Sequence, residues 1–107
     1  MPDQPSGPYQ VFCAQKDLQR LRALAAKAKD LGISNEFLAA LKAINQKLTS
    51  EPLIWGDPQY QLSHLGLLFC HGIYSLLHVY YAVSTERRLV FVKEILALPN
   101  SPLGETQ

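Results

Sequence analysis

The sequence predicts an α+β fold of order β-α-α-β-β-β, in which a helical hairpin packs on one face of a small antiparallel sheet. Three observations carry this. Apolar residues recur at steps of three and four between Lys16 and Leu48. Three runs rich in β-branched and aromatic residues follow, separated by short polar turns, between Gln61 and Ile95. A shorter β-rich run at 9–14, YQVFCA, precedes the helices.

Taken in order, residues 1–8 (MPDQPSGP) combine proline, glycine and polar side chains, which predicts a disordered tail. Residues 9–14 then form a first short strand. Over 16–31, Leu18, Leu21, Ala25 and Ala28 share one helical face, widened by Leu24 and Leu31. Gly32 supplies a C-terminal stop. Ser34 or Asn35 is placed to cap a second helix, whose stripe is Phe37, Leu41, Ile44 and Leu48. Few residues separate the helices, so they form an antiparallel hairpin. Residues 50–60 (SEPLIWGDPQY) hold two prolines and a glycine and break the helical run, with Ile54 and Trp55 pinning the segment to the core. Strands over 61–70, 73–83 and 88–95, with turns at His71–Gly72 and at 84–87, complete a meander. Pro99 and Pro102 make residues 99–107 a flexible tail, leaving one domain over 9–98.

A chain of 107 residues suits one domain and buries a core without disulfides or metal. The formal net charge of +1 gives no global pull toward nucleic acid, so any basic surface is local. There is no basic leader joined to an apolar run and no apolar run of about 20 residues. The expectation is a soluble cytoplasmic protein with no membrane partner. In that compartment Cys13 and Cys70 are free thiols, although both lie in strands that could be neighbours. His64, Cys70 and His71 match no common zinc spacing, and no cofactor is expected.

Alternation along 73–83 places Leu77, Val79, Tyr81 and Val83 on one face and Leu76, His78, Tyr80 and Ala82 on the other. The first set belongs beneath the helices. His78 then lies on the open face beside Tyr80, where an imidazole can serve as general acid or base, or simply as a half-exposed strand residue. Tyr80 is the aromatic best placed to meet a partner. Arg87 and Arg88 form a basic tip on the last hairpin, with Lys93 beyond it. They can contact a partner or guard a strand end against aggregation. Arg20 and Lys27 belong to a cationic helix face that could track phosphates or remain solvated. The apolar run 65–70 implies a sheet face that helices on one side leave uncovered, a feature that marks a protein partner.

Three stretches carry a family resemblance. YQVFCAQKDLQRLRAL, LAALKAINQKLTSEPLIWGDPQYQL and LHVYYAVSTERRLVFVKEI, spanning 9–95, resemble the RelE/ParE toxin superfamily of bacterial type II toxin–antitoxin systems in order and spacing. The resemblance implies a metal-independent ribonuclease acting on ribosome-bound messenger RNA, or a poison of DNA gyrase, neutralised by an antitoxin. The position of the family's hairpin arginine is His78 here. The first meander strand reads LLFCH and the segment after the last strand reads LALPN, where the family often carries basic or aromatic catalytic groups. Arginine holds phosphate through a planar charged fork, so its loss removes that chemistry. The sequence therefore predicts a toxin-like protein that acts by binding, with ribonuclease residues largely missing. An active ribonuclease using His78 and a non-toxic, self-associating module, a homodimer for example, are the alternatives.

Overall fold

The structure is a computed structural model that describes residues 8–104. The chain runs through β1 (Gln10–Cys13), α1 (Gln15–Asp30), α2 (Ser34–Ser50), the single turn α3 (Pro52–Trp55), β2 (Asp57–Leu62), a 3-10 turn (Ser63–Leu65), β3 (Leu67–Tyr74), β4 (Leu77–Ser84) and β5 (Leu89–Ala97). It is an α+β fold in which the helical hairpin covers one face of the sheet. The sheet has five strands in the order β1-β5-β4-β3-β2. It is mixed rather than wholly antiparallel: β1 pairs with β5 in parallel, and the other pairs are antiparallel. Parallel pairing follows from the helical hairpin, which returns the chain to the same end of the sheet before the meander begins.

The second stripe packs as predicted, and on α1 Leu21, Leu24, Ala25 and Ala28 face the core, whereas Leu18 and Leu31, at 38 and 48% exposure, do not. Phe37, Ala40, Ile44 and Leu48 of α2 and Ala28 of α1 are buried. Asp17 also faces inward, one turn before Leu21, and its Oδ2 has no hydrogen-bond partner among the described residues. Gly32 ends α1 with φ +75°, its N–H donating to the Lys29 carbonyl while the Ile33 N–H donates to the Ala28 carbonyl. This pair of bonds is a Schellman motif, which needs the left-handed residue that glycine supplies. Neither Ser34 nor Asn35 caps α2. The helix begins at Ser34, the cap position is Ile33, and no side-chain cap bond forms.

The strand expected at 61–70 is instead two strands, because Gly66 at φ +66° and the 3-10 turn reverse the chain within it. The expected turn at His71–Gly72 lies inside β3, and the reversal falls at Ser75 and Leu76, with Ser75 at φ +56°. Gly72 is there for close approach: a Cβ on it would come within 2.8 Å of the Trp55 indole. Trp55 in turn stacks on Tyr81 at 5.7 Å between ring centroids, and the Tyr81 hydroxyl donates to the Pro52 carbonyl at 2.5 Å. The breaker segment is thus pinned through Trp55, whereas Ile54 is 79% exposed. Residues 98–104 are not a loose tail. Leu103 is buried in the core, and Lys27 Nζ donates to the carbonyls of Leu103 and Gly104 at 3.1 and 3.4 Å. The expected N-terminal tail lies, but for Pro8, outside the described residues, as do residues 105–107.

Candidate functional site: the open face of the sheet

Leu77, Val79, Tyr81 and Val83 of β4 are fully buried beneath the helices, as the alternation requires. Burial pushes the Tyr81 hydroxyl pKa far up, with the neighbouring Cys70 adding to the effect, so this tyrosine is a neutral structural donor. The opposite face has no described element over it. Its residues fall into rows set by strand register. One row crosses all five strands as Tyr60, Phe69, Ala82, Phe91 and Phe12. Tyr60 stacks on Phe69 at 4.7 Å and Phe12 on Phe91 at 5.7 Å, one ring pair on either side of Ala82. The next row runs Asp57, His71, Tyr80 and Glu94, and the third runs Ile73, His78 and Leu96.

His71 and His78 meet across the second and third rows, Nδ1 of His71 lying 3.0 Å from Nε2 of His78. One nitrogen donates and the other accepts, so the contact requires at least one neutral ring and holds a single proton between the two atoms. Tyr80 stacks on both, at 4.5 Å from His78 and 5.9 Å from His71. Partial burial, followed by the charge of His71, holds the His78 pKa below the ordinary histidine value. The pair can therefore accept a proton at one atom and pass one from the other, which is the elementary step of acid–base chemistry.

Of the candidate residues, His78 and Tyr80 stand together on this face. His71 joins them, a residue that the predicted turn at His71–Gly72 hides. Once 67–74 is one strand, period-two alternation places Phe69, His71 and Ile73 on a common face, which is the signal that would have found it. Lys93 is the extra residue of a bulge where Tyr80 and Tyr81 oppose Glu94 and Val92. It borders a depression with Tyr60, Phe69, Tyr80 and Glu94. Arg87 lies at the far tip, beside His64 and Glu86, six residues of β4 and roughly 20 Å from His78. Arg88 adopts φ +56°, its carbonyl accepts from Gln10 N–H, and its guanidinium lies 4.2 Å from the Tyr9 ring centroid. Its role is to close the β4–β5 turn against β1. Arg20 is exposed on α1, beyond the covered face, and Lys27 holds the C-terminal segment. Lys93 thus borders the face beside Tyr80, whereas Arg20, Lys27, Arg87 and Arg88 lie away from the histidines.

Cys13 and Cys70 are free, and β5 and β4 stand between their strands, so they are not the neighbours a bridge needs. Burial raises both thiol pKa values, with Asp17 adding to the effect at Cys13. Neither has the electropositive setting of a reactive thiolate. Among the described residues no three His, Cys, Asp or Glu side chains form a metal-ligand group, and no helix is long and apolar enough to cross a membrane. Comparison with protein families, characterised proteins and solved structures finds no match to this chain.

Proposed function

We propose that this protein is a toxin-like binding protein of RelE/ParE type, which acts by contact with a macromolecular target and is held by an antitoxin. The observation that carries the reading is the open face: a continuous aromatic and histidine surface with no arginine among its rows. Such a surface binds through stacking and apolar contact, and it lacks the charged forks that grip a scissile phosphate. The layout of helical hairpin and meander, and the hairpin spanning His78, support the family assignment. Ribosome, messenger RNA and DNA gyrase are the target classes, and the missing phosphate grip favours a target bound without cleavage. The test is induced expression in a bacterial host, with and without the product of the adjoining short open reading frame. Growth arrest relieved by that product is expected, with total messenger RNA intact on a primer-extension assay. Unimpaired growth, together with no interacting neighbour, overturns the proposal.

The 3.0 Å contact of His71 and His78 favours a second reading, a metal-independent endoribonuclease in which the pair exchanges protons with the ribose 2′-OH and the leaving oxygen. On this reading His78→Ala and His71→Ala each abolish messenger cleavage while the far-ultraviolet circular dichroism is unchanged. Cleavage that survives both substitutions rules it out.

A further inference from the structure

We propose that a second copy of this chain covers the open face, the two sheets packing face to face about a two-fold axis. This goes beyond the toxin-like reading and uses the same surface, so a second copy and the target exclude one another there and the target must displace the dimer. Phe12, Ile73 and Tyr60 are 45, 53 and 54% exposed, and Phe69, Phe91, Leu89 and Leu96 are half-buried around them. The row of Asp57, His71, Tyr80 and Glu94 runs between Ile73 and the ring-bearing row, so the face alternates apolar and polar bands, and a patch of this size often marks a contact site. Five strands of about seven residues, at about 4.8 Å spacing and 3.3 Å rise, give roughly 550 Å² in projection per copy. Two such faces bury about 1,100 Å² before the relief of the rings is counted, which clears the roughly 1,000 Å² that a specific interface needs.

Shape and charge select this occupant. A two-fold interface is self-complementary, so the same patch stands on both sides. The cross-sheet row supplies the projections: ring pairs stand at either end, and the small Ala82 lies between them, closed to 1% exposure by the flanking rings. Lys93 and Glu94 adjoin the patch as neighbours of opposite sign. A two-fold whose axis passes beside this pair sets Lys93 of each copy against Glu94 of its mate, whereas a strongly acidic strand such as nucleic acid meets no matching field. Aligned packing of twisted sheets places their strands about 30° apart, with side chains interdigitating.

Sedimentation equilibrium of the purified full chain tests this. A dimer at micromolar concentration is expected. Ile73→Lys and Tyr60→Glu should each weaken it at least about tenfold by burying an unpaired charge. Leu38→Lys, at a 57% exposed position on α2, should leave it unchanged. Circular dichroism shows that each variant is folded, and either open-face variant suffices if the other is not. A monomer up to hundreds of micromolar overturns the dimer and leaves the growth test standing. A dimer that Leu38→Lys dissociates and the folded open-face variants do not overturns it as well. Absence of growth arrest bears on the toxin-like reading alone.

Discussion

The two faces of one sheet solve burial differently. The covered face is aliphatic around one tyrosine: Leu77, Val79, Val83, Val90, Val92 and Ile95 surround Tyr81 and interdigitate with Phe37, Ile44 and Leu48. The open face is built of rings that lean on one another within the plane of the sheet. Branched aliphatic side chains gain most when a second layer fills the spaces between them. Flat rings gain part of their burial laterally, by stacking, and keep one side free. The first arrangement stores folding energy, and the second presents a surface at small cost to the fold.

The largest expected effects therefore lie on the covered face. Tyr81→Ala removes a fully buried ring, its stack on Trp55 and its bond to Pro52, and should cost about 3–5 kcal/mol in urea unfolding. A cost below about 1 kcal/mol would mean that the core does not close over Tyr81. Gly72→Ala comes next. Its Cβ meets the Trp55 indole, so Trp55 must shift, at about 1–3 kcal/mol, with a red shift of tryptophan emission as the check. Unchanged emission and stability would show that Trp55 does not lie on β3.

This contrast was half legible in the sequence. Alternation sorts the faces correctly over 77–83 because a half-buried strand obeys a strict period of two, but it fails at Leu76, which lies in the turn before β4 and is buried in the core rather than on the open face. Gly72 misleads because glycine signals both turns and close backbone approach, and the partner that decides, Trp55, lies 17 residues earlier on the chain. With the turn misplaced, His71 drops out of the strand and His78 loses its partner. The bulge at Lys93 has no local signature, yet it lets Val92 and Ile95 both face the core at a spacing of three. Leu103 falls in the predicted tail because two prolines precede it, although proline excludes only regular structure and not burial. The parallel β1–β5 pairing joins the two ends of the domain, and no window of sequence contains it.

The histidine pair gives a smaller effect that separates the faces by pH. The folded protein holds the His78 pKa below its unfolded value near 6.5. In that window the unfolded chain binds a proton that the folded chain resists, so stability falls as pH drops below about 6.5 and levels off below the folded pKa. A second proton also breaks the contact with His71. Asp57 and Glu94 at the two ends of the adjoining row, with Lys93 next to Glu94, are the other charged groups among the described residues of this face. His78→Gln should flatten the dependence of the unfolding midpoint between pH 7 and pH 5, values that bracket the ordinary histidine range of about 6.5. Proton resonances of His78 should titrate below those of a free histidine. A His78 that titrates at or above the free value would mean that the two rings do not meet in solution.

The smallest expected effect tests the contrast most directly. Ile73 stands on β3, 53% exposed, and is not part of the buried core cluster. Ile73→Thr keeps the β-branch and hence the strand preference, and it removes apolar surface that the monomer leaves in water. In dilute solution the unfolding free energy should change by no more than about 0.5 kcal/mol. At high protein concentration the wild type gains stability by mass action if its open face is covered by a second copy, and Ile73→Thr should lose part of that gain. Unfolding curves at two concentrations thus read the two faces apart. A large loss in dilute solution would mean that the open face is core after all. Equal curves at both concentrations for both proteins would mean that nothing of this chain's own covers it.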